Sequence, residues 1–239
     1  MAETSEQSVA SFATSRLPLF HGPLVKIQVQ PIGCGYTVSK ALLCTESRVF
    51  SAMFAGGFLE AKQETVKLEE MNGVISPRSL EALFQWLYLR FIKFDLDYDS
   101  PEEHISAAVE LARLADKYEI TGIESQIAQY IKETIIANPQ LEDDIDGSFV
   151  NNNIFWLDDQ DIISGILLHD GHPVRQILAA ASVAGYLQTE NHKFAELAQR
   201  YPKVAADLLH EVRLTLNGLE PHGNACFKDP IGVQRLCLY

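Results

Sequence analysis

The segment from Tyr36 to Phe58 constrains this chain more than any other. Tyr36 and Val38 alternate with Thr37 and Ser39, as in a half-buried strand. From Lys40 the period lengthens. Ala41, Leu42 and Cys44, then Val49, Phe50, Met53 and Phe54, recur at spacings of three and four, which predicts a pair of short helices. Gly56-Gly57 then predicts a helix stop in the left-handed region. The segment holds no nucleophile beside a base and no metal-ligand cluster. It reads as a surface built for another protein.

The rest of the chain divides by composition. Residues 1–19 are polar and rich in Ser and Thr, and are expected to be a disordered tail. Gly33-Cys34-Gly35 predicts a hairpin turn; as a dinucleotide loop it lacks the third glycine, because Val38 stands there. Ser76-Pro77 predicts a helix start, followed by a stripe of Leu80, Leu83, Phe84, Leu87 and Tyr88. Phe91 to Asp99 alternates apolar and acidic residues, as an edge strand or a loop would. Ser100-Pro-Glu-Glu103 predicts a capping box, and Ile123, Ile127, Ile131 and Ile135 a further helix ending at Asn138-Pro139. Residues 139–153, with four acids, a Gly and a triple Asn, read as a linker. Residues 154–216 carry helical periodicity with Pro173 and Pro202 at helix starts, and Val204, Leu208, Val212 and Leu216 repeat at fours. Residues 217–239 show no period and are expected to be a loose tail.

Several stretches resemble the BTB (POZ) domain, in that family's order. Leu24–Gln30 stands in the place of its first strand. Val38-Ser-Lys-Ala-Leu-Leu43 is similar to its Val-His-Lys-Ala-Val-Leu run, continued by Phe50-x-x-Met-Phe54 and Gly57-Phe-Leu-Glu60. Val66-Lys-Leu68, Phe84-Gln-Trp-Leu-Tyr88 and Glu110–Tyr118 follow as the next strand, the central helix and the late helix. The resemblance covers residues 20–138. Gly22-Pro-Leu-Val-Lys-Ile27 and Tyr201–Leu209 are most similar to the branch common in fungi. Three departures stand out: Ser39 for the usual His, Lys26 where no Asp precedes the first strand, and Tyr88-Leu-Arg90 for a Tyr-Thr-Gly end of the central helix. The first two count against the charged pocket used by transcription-repressor members.

The resemblance implies an α+β fold, a short mixed sheet capped by helical hairpins, followed here by a small all-α extension. It implies a non-catalytic interaction module that forms homodimers, with Phe50, Met53 and Phe54 at the dimer interface. It further implies a cullin-type ubiquitin-ligase partner engaging the hydrophobic-x-Glu pattern Phe58-Leu59-Glu60. The alternatives are a partner-binding transcription regulator and an enzyme with its pocket in the helical extension.

Composition narrows the classes. A net charge of −13 repels phosphate backbones, so no direct nucleic-acid binding is expected. No apolar run reaches the ~20 residues of a membrane span. The first residues lack the basic and apolar regions of a secretory signal, which points to an intracellular protein, cytoplasmic or nuclear. Cys34, Cys44, Cys226 and Cys237 form no Cys-x-x-Cys pair and read as free thiols. His169-Asp-Gly-His172 invites a metal reading, but its spacing does not put both imidazoles on one helix face, and a solvated interhelix loop is the expectation. No catalytic residue, cofactor or metal is expected.

Overall fold

The computed structural model describes residues 16–57, 59–96, 100–139, 152–189, 192–218, 226–232 and 235–237. Three strands form the sheet: β1 (Leu24–Gln30), β2 (Gly35–Ser39) and β3 (Thr65–Glu69), in the order β2-β1-β3. β1 runs antiparallel to β2, with Leu24 opposite Ser39, and parallel to β3, with Lys26 opposite Thr65. Alternation along β1 buries Val25, Ile27 and Val29, so one face of the central strand is core. Gly33, at φ +77°, supplies the left-handed residue of the β1–β2 connection.

Helices α1 (Lys40–Glu46), α2 (Arg48–Ala55) and α3 (Leu59–Gln63) separate β2 from β3; α4 (Pro77–Leu89), α5 (Pro101–Lys117) and α6 (Glu124–Ala137) follow. Polar caps and prolines set the starts. Ser76 and Ser100 accept the amides of Ser79 and Glu103, with Pro77 and Pro101 in the first helical position, where no amide is missed. α2 does not end in the left-handed region that Gly56-Gly57 suggested. Gly56 is extended, with φ −85° and ψ 177°, because α3 begins again too soon for a reversal to be needed. Residues 91–96 form a loop rather than an edge strand.

The extension contributes α7 (Asp159–Gly165), α8 (Pro173–Gln188), α9 (Ala195–Arg200) and α10 (Pro202–Asn217). It shares the core of the first part. One buried cluster runs from Ile27, Leu83 and Ile131 through Leu157, Ile162, Val174 and Leu178 to Phe194 and Val204. Val183, Leu208 and Val212 form a smaller cluster where α10 lies on α8. Arg175, only 6% exposed, bridges the same helices by pairing with Asp207, while a further nitrogen meets Asp170. A buried guanidinium is tolerable only when so paired.

Two expectations about the chain ends are corrected. Residues 17–19, expected as part of the tail, belong to a short 3-10 helix, Leu17–His21; residues 1–15 lie outside the described residues. Residues 217–239 are not uniformly loose: β4 (Cys226–Lys228) pairs antiparallel with β5 (Arg235–Cys237), and Phe227 and Ile231 are each 1% exposed. Cys226 is disulfide-bonded rather than a free thiol, and Cys237 stands directly across the ladder from it. Spacing along the chain does not reveal that bond. Cys34 and Cys44 are free.

Candidate interaction surface

Ser39 joins three elements. Its Oγ donates to the Leu19 carbonyl and accepts the Leu42 amide at 3.3 Å, capping α1. Its own N–H donates to the Tyr88 hydroxyl at 2.8 Å. Phe20 stacks on Tyr88 with ring centroids 5.6 Å apart, so the N-terminal turn is held over the start of α1. Where the resemblance places a histidine, this chain has a small hydroxyl whose bonds are taken internally, and Lys26 is exposed on β1. Ser39→Ala removes the cap and leaves the Leu19 carbonyl without this partner. It is expected to cost about 2 kcal/mol, lowering Tm by roughly 4–8 °C in a calorimetric scan.

The dimer residues expected on α2 divide. Phe50 and Phe54 are 0% and 4% exposed, so they are core of the protomer and offer no surface to a second copy. Phe50 lies flat on Tyr118, with centroids 4.7 Å apart, and the Lys40 ammonium lies 5.6 Å from the centre of the Phe54 ring. The cause is Ser47, whose Oγ caps α2 through the Phe50 amide and donates to the Tyr118 carbonyl, rolling the phenyl face inward. Met53 is half-buried.

Of the three residues expected to meet a partner, two fall in the described start of α3. Leu59 is 67% exposed and Glu60 half-buried in the first turn; Phe58 lies outside the described residues. At the end of α4, Leu89 and Phe91 are also exposed, at 60% and 47%. Between them Arg90 takes the left-handed region, with φ 59° and ψ 26°, which the glycine of a Tyr-Thr-Gly end adopts without strain. Arginine is held there because its guanidinium lies 4.0 Å from the Trp86 ring centre and pairs with Glu46, which Arg16 approaches at 3.4 Å.

The extension meets α5 through two polar contacts near its ends. Ser106 Oγ donates to Asp161 Oδ1 at 2.8 Å, and His169 Nδ1 lies 2.9 Å from Asp116 Oδ1. Asp161 is 3% exposed; its other oxygen accepts the Asp158 amide, while Asp158 caps α7. His172 is no part of a solvated loop: it is 1% exposed and caps α8, its Nδ1 accepting the Val174 amide at 3.1 Å. A cleft of about 300 Å³ opens here, lined by Arg48, Asp116, Glu119, Glu124, His169 and His172 among others. Inside the extension, by contrast, the cavity among Ile162, Gly165, Leu178, Phe194 and Val204 measures about 20 Å³, room for a single water. Among the described residues no group of three or more His, Cys, Asp or Glu has the arrangement of a metal site.

Residues 25–135 match the BTB/POZ domain. That match covers 111 of the 239 residues, so it identifies a BTB/POZ domain within the chain. The matched residues begin in β1 and end in α6, so the α+β arrangement of sheet and helices is the BTB/POZ domain and α7–α10 lie beyond it. A search of curated proteins returned no match. BTB/POZ domains are protein–protein interaction modules, and that is the function the match supports. Among the described residues no helix is long and apolar enough to cross a membrane.

The BTB/POZ domain and the extension meet at two groups with shifted protonation. Burial raises the Asp161 carboxyl to about 7, against the pull of its hydrogen bonds from Asp158 and Ser106. Burial likewise lowers the His172 imidazole below its ordinary value. Asp161 carried no signal in the sequence, and His172 stood out only through the His169-Asp-Gly-His172 spacing, which did not reveal its burial. An acid in a helix's first turn and a histidine before a proline are surface residues unless the chain returns to cover them.

Proposed function

We propose that this BTB/POZ protein is a non-catalytic assembly module that forms homodimers and acts as a substrate adaptor for a cullin-type ubiquitin ligase. The observation that carries the reading is Leu59, 67% exposed at the start of α3, next to Glu60 and within the hydrophobic-x-Glu pattern Phe58-Leu59-Glu60. The exposed start of α3 suits an interface in which the apolar residue of the pattern, Phe58, fills a pocket and the carboxylate two residues on meets a donor. In the homodimer the N-terminal turn and α2 face the second copy, with Leu17 and Met53 as the apolar contacts; Leu17 is 41% exposed. Phe50 and Phe54 support that face from inside. The features similar to the branch common in fungi support placing the chain there, and the reading is of an intracellular protein.

Co-precipitation with a purified cullin N-terminal domain tests the adaptor role. Phe58→Ala is expected to cost on the order of 2 kcal/mol of binding, and Glu60→Lys most of the remainder, with both variants melting as the parent does. Equal capture of parent and double variant removes the motif from the reading, and no capture of any cullin leaves only assembly. Sedimentation at micromolar concentration tests the dimer directly: a 26.7 kDa species alone refutes it.

A further inference from the structure

The outer edge of β3 is open. The Lys26 amide donates to the Glu64 carbonyl and the Glu70 amide to the Gln30 carbonyl, each at 2.8 Å, so the parallel register with β1 engages the peptide groups of residues 64, 66, 68 and 70. The N–H and C=O groups of Thr65, Lys67 and Glu69 point the other way. No further strand of the sheet pairs there, and among the described residues these groups meet no main-chain partner. Val66 and Leu68 are buried in the core, while Lys67 and Glu69 are exposed neighbours on the opposite face and make no ion pair among the described residues. An edge of this kind is a template for another strand unless its side chains repel one.

We propose that β3 pairs antiparallel with β3 of a second copy, about a two-fold axis at Leu68, joining the two sheets into one. The charge order commits the edge to itself. In this register Lys67 of one copy stands opposite Glu69 of the other, and Glu69 opposite Lys67. Both are pairs that exchange two main-chain hydrogen bonds, with Cα atoms about 5.5 Å apart, and opposite charges so placed attract. Moving the axis to Lys67 sets that lysine against itself, so charge selects the register. Met71, 43% exposed, then comes opposite Thr65 of the other copy at each end of the ladder. A strand of unrelated sequence finds the same main-chain groups but matches Lys67-Leu68-Glu69 only by chance. This contact is separate from the proposed α2 homodimer and goes beyond it. Two different two-fold axes on one chain link dimers into larger assemblies, which multiplies the sites an adaptor presents.

Sedimentation equilibrium on the full chain tests this at about 0.15 M salt, which screens the net charge of −13 on each copy beyond about 8 Å. Lys67→Glu and Glu69→Lys change exposed side chains whose main-chain groups β1 does not use, so the protomer fold is kept. Each is expected to weaken the contact at least about tenfold, because like charges then face each other in both pairs. Glu69→Lys lowers the net negative charge, so general repulsion predicts the opposite result for it. An equimolar mixture of the two variants sets acids on one edge against bases on the other. It is expected to regain association to within about threefold of the parent. With the α2 homodimer also present, the parent exceeds the dimer mass and each variant stops at it. Without that homodimer, the parent reaches a dimer and each variant stays at 26.7 kDa. Either result supports the β3 contact, and the two tell its fate apart from that of the α2 reading. A parent that never passes the mass of its variants overturns the proposal, as does a mixture that gains nothing over its components. Lys67 and Glu69 then guard the edge.

Discussion

Cutting the chain after Asn138 is expected to destroy its cooperative fold, although all of the BTB/POZ match is retained. The buried cluster does not stop at the end of α6: Leu157, Ile162, Ile166, Val174, Leu178, Phe194 and Val204 belong to the same core as Leu83, Ile105 and Ile131. α8 lies along α6, and α7 along α5. Removing the extension strips apolar cover from both BTB/POZ helices. Each large side chain returned to water costs roughly 1.5–3 kcal/mol, so four or five together approach the 5–15 kcal/mol that holds a typical domain folded. The Trp156 indole N–H, which donates to the Asn138 carbonyl at 2.7 Å, and its packing at the end of α6 are lost as well. Fragment 1–138 should bind an apolar dye, aggregate at micromolar concentration and show no sharp thermal transition. A fragment as soluble and heat-stable as the full chain makes the extension an independent domain and refutes the shared core.

The local parts of this architecture were legible because local rules fix them. Ser76-Pro77 and Ser100-Pro101 start helices whatever surrounds them, and Val204, Leu208 and Val212 repeat at fours because one side of α10 must be covered. What failed depended on the return of distant chain. Phe50 looked like surplus apolar surface on a short helix; it is core because Tyr118, far along the sequence, lies flat against it. Cys226 looked like a lone thiol in a loose tail until β5 came back beside it. His172 looked solvated because nothing near it in sequence shows that the C-terminal end of α5 lies over it. Of the Phe58-Leu59-Glu60 pattern, the residue order alone showed no sign of which side chains are exposed; Leu59 is.

Asp161→Asn is expected to reverse the pH dependence of stability in the acid-to-neutral range. The Asp161 carboxyl titrates at about 7 in the folded protein, chiefly because it is buried, against an ordinary value of 3.8. Between those two values the folded state holds a proton that the unfolded state has released, so stability falls as pH rises and the deficit is complete above about pH 7. At about 1.4 kcal/mol for each pH unit crossed, the deficit is on the order of 4 kcal/mol. Asparagine resembles the protonated acid: its oxygen can accept the Asp158 amide and its amide can donate to Ser106, so the alkaline deficit disappears. His172 has the opposite slope. Its folded value lies below 6.5 because burial disfavours the cation, so stability falls as pH drops through 6.5, where the unfolded chain takes up the proton first. In the parent the two slopes oppose each other between about pH 4 and 6.5 and partly cancel. Asp161→Asn removes the carboxyl limb, so its Tm relative to the parent should climb with pH and then level off, exceeding the parent at pH 8 and matching it near pH 4. His172→Asn leaves the carboxyl limb alone, and its Tm should fall from pH 4 to 7. Calorimetric scans across this range decide the matter: parallel curves for parent and Asp161→Asn mean that the junction carboxylate is ionised in the folded state after all, and that Ser106 and the Asp158 amide outweigh its burial.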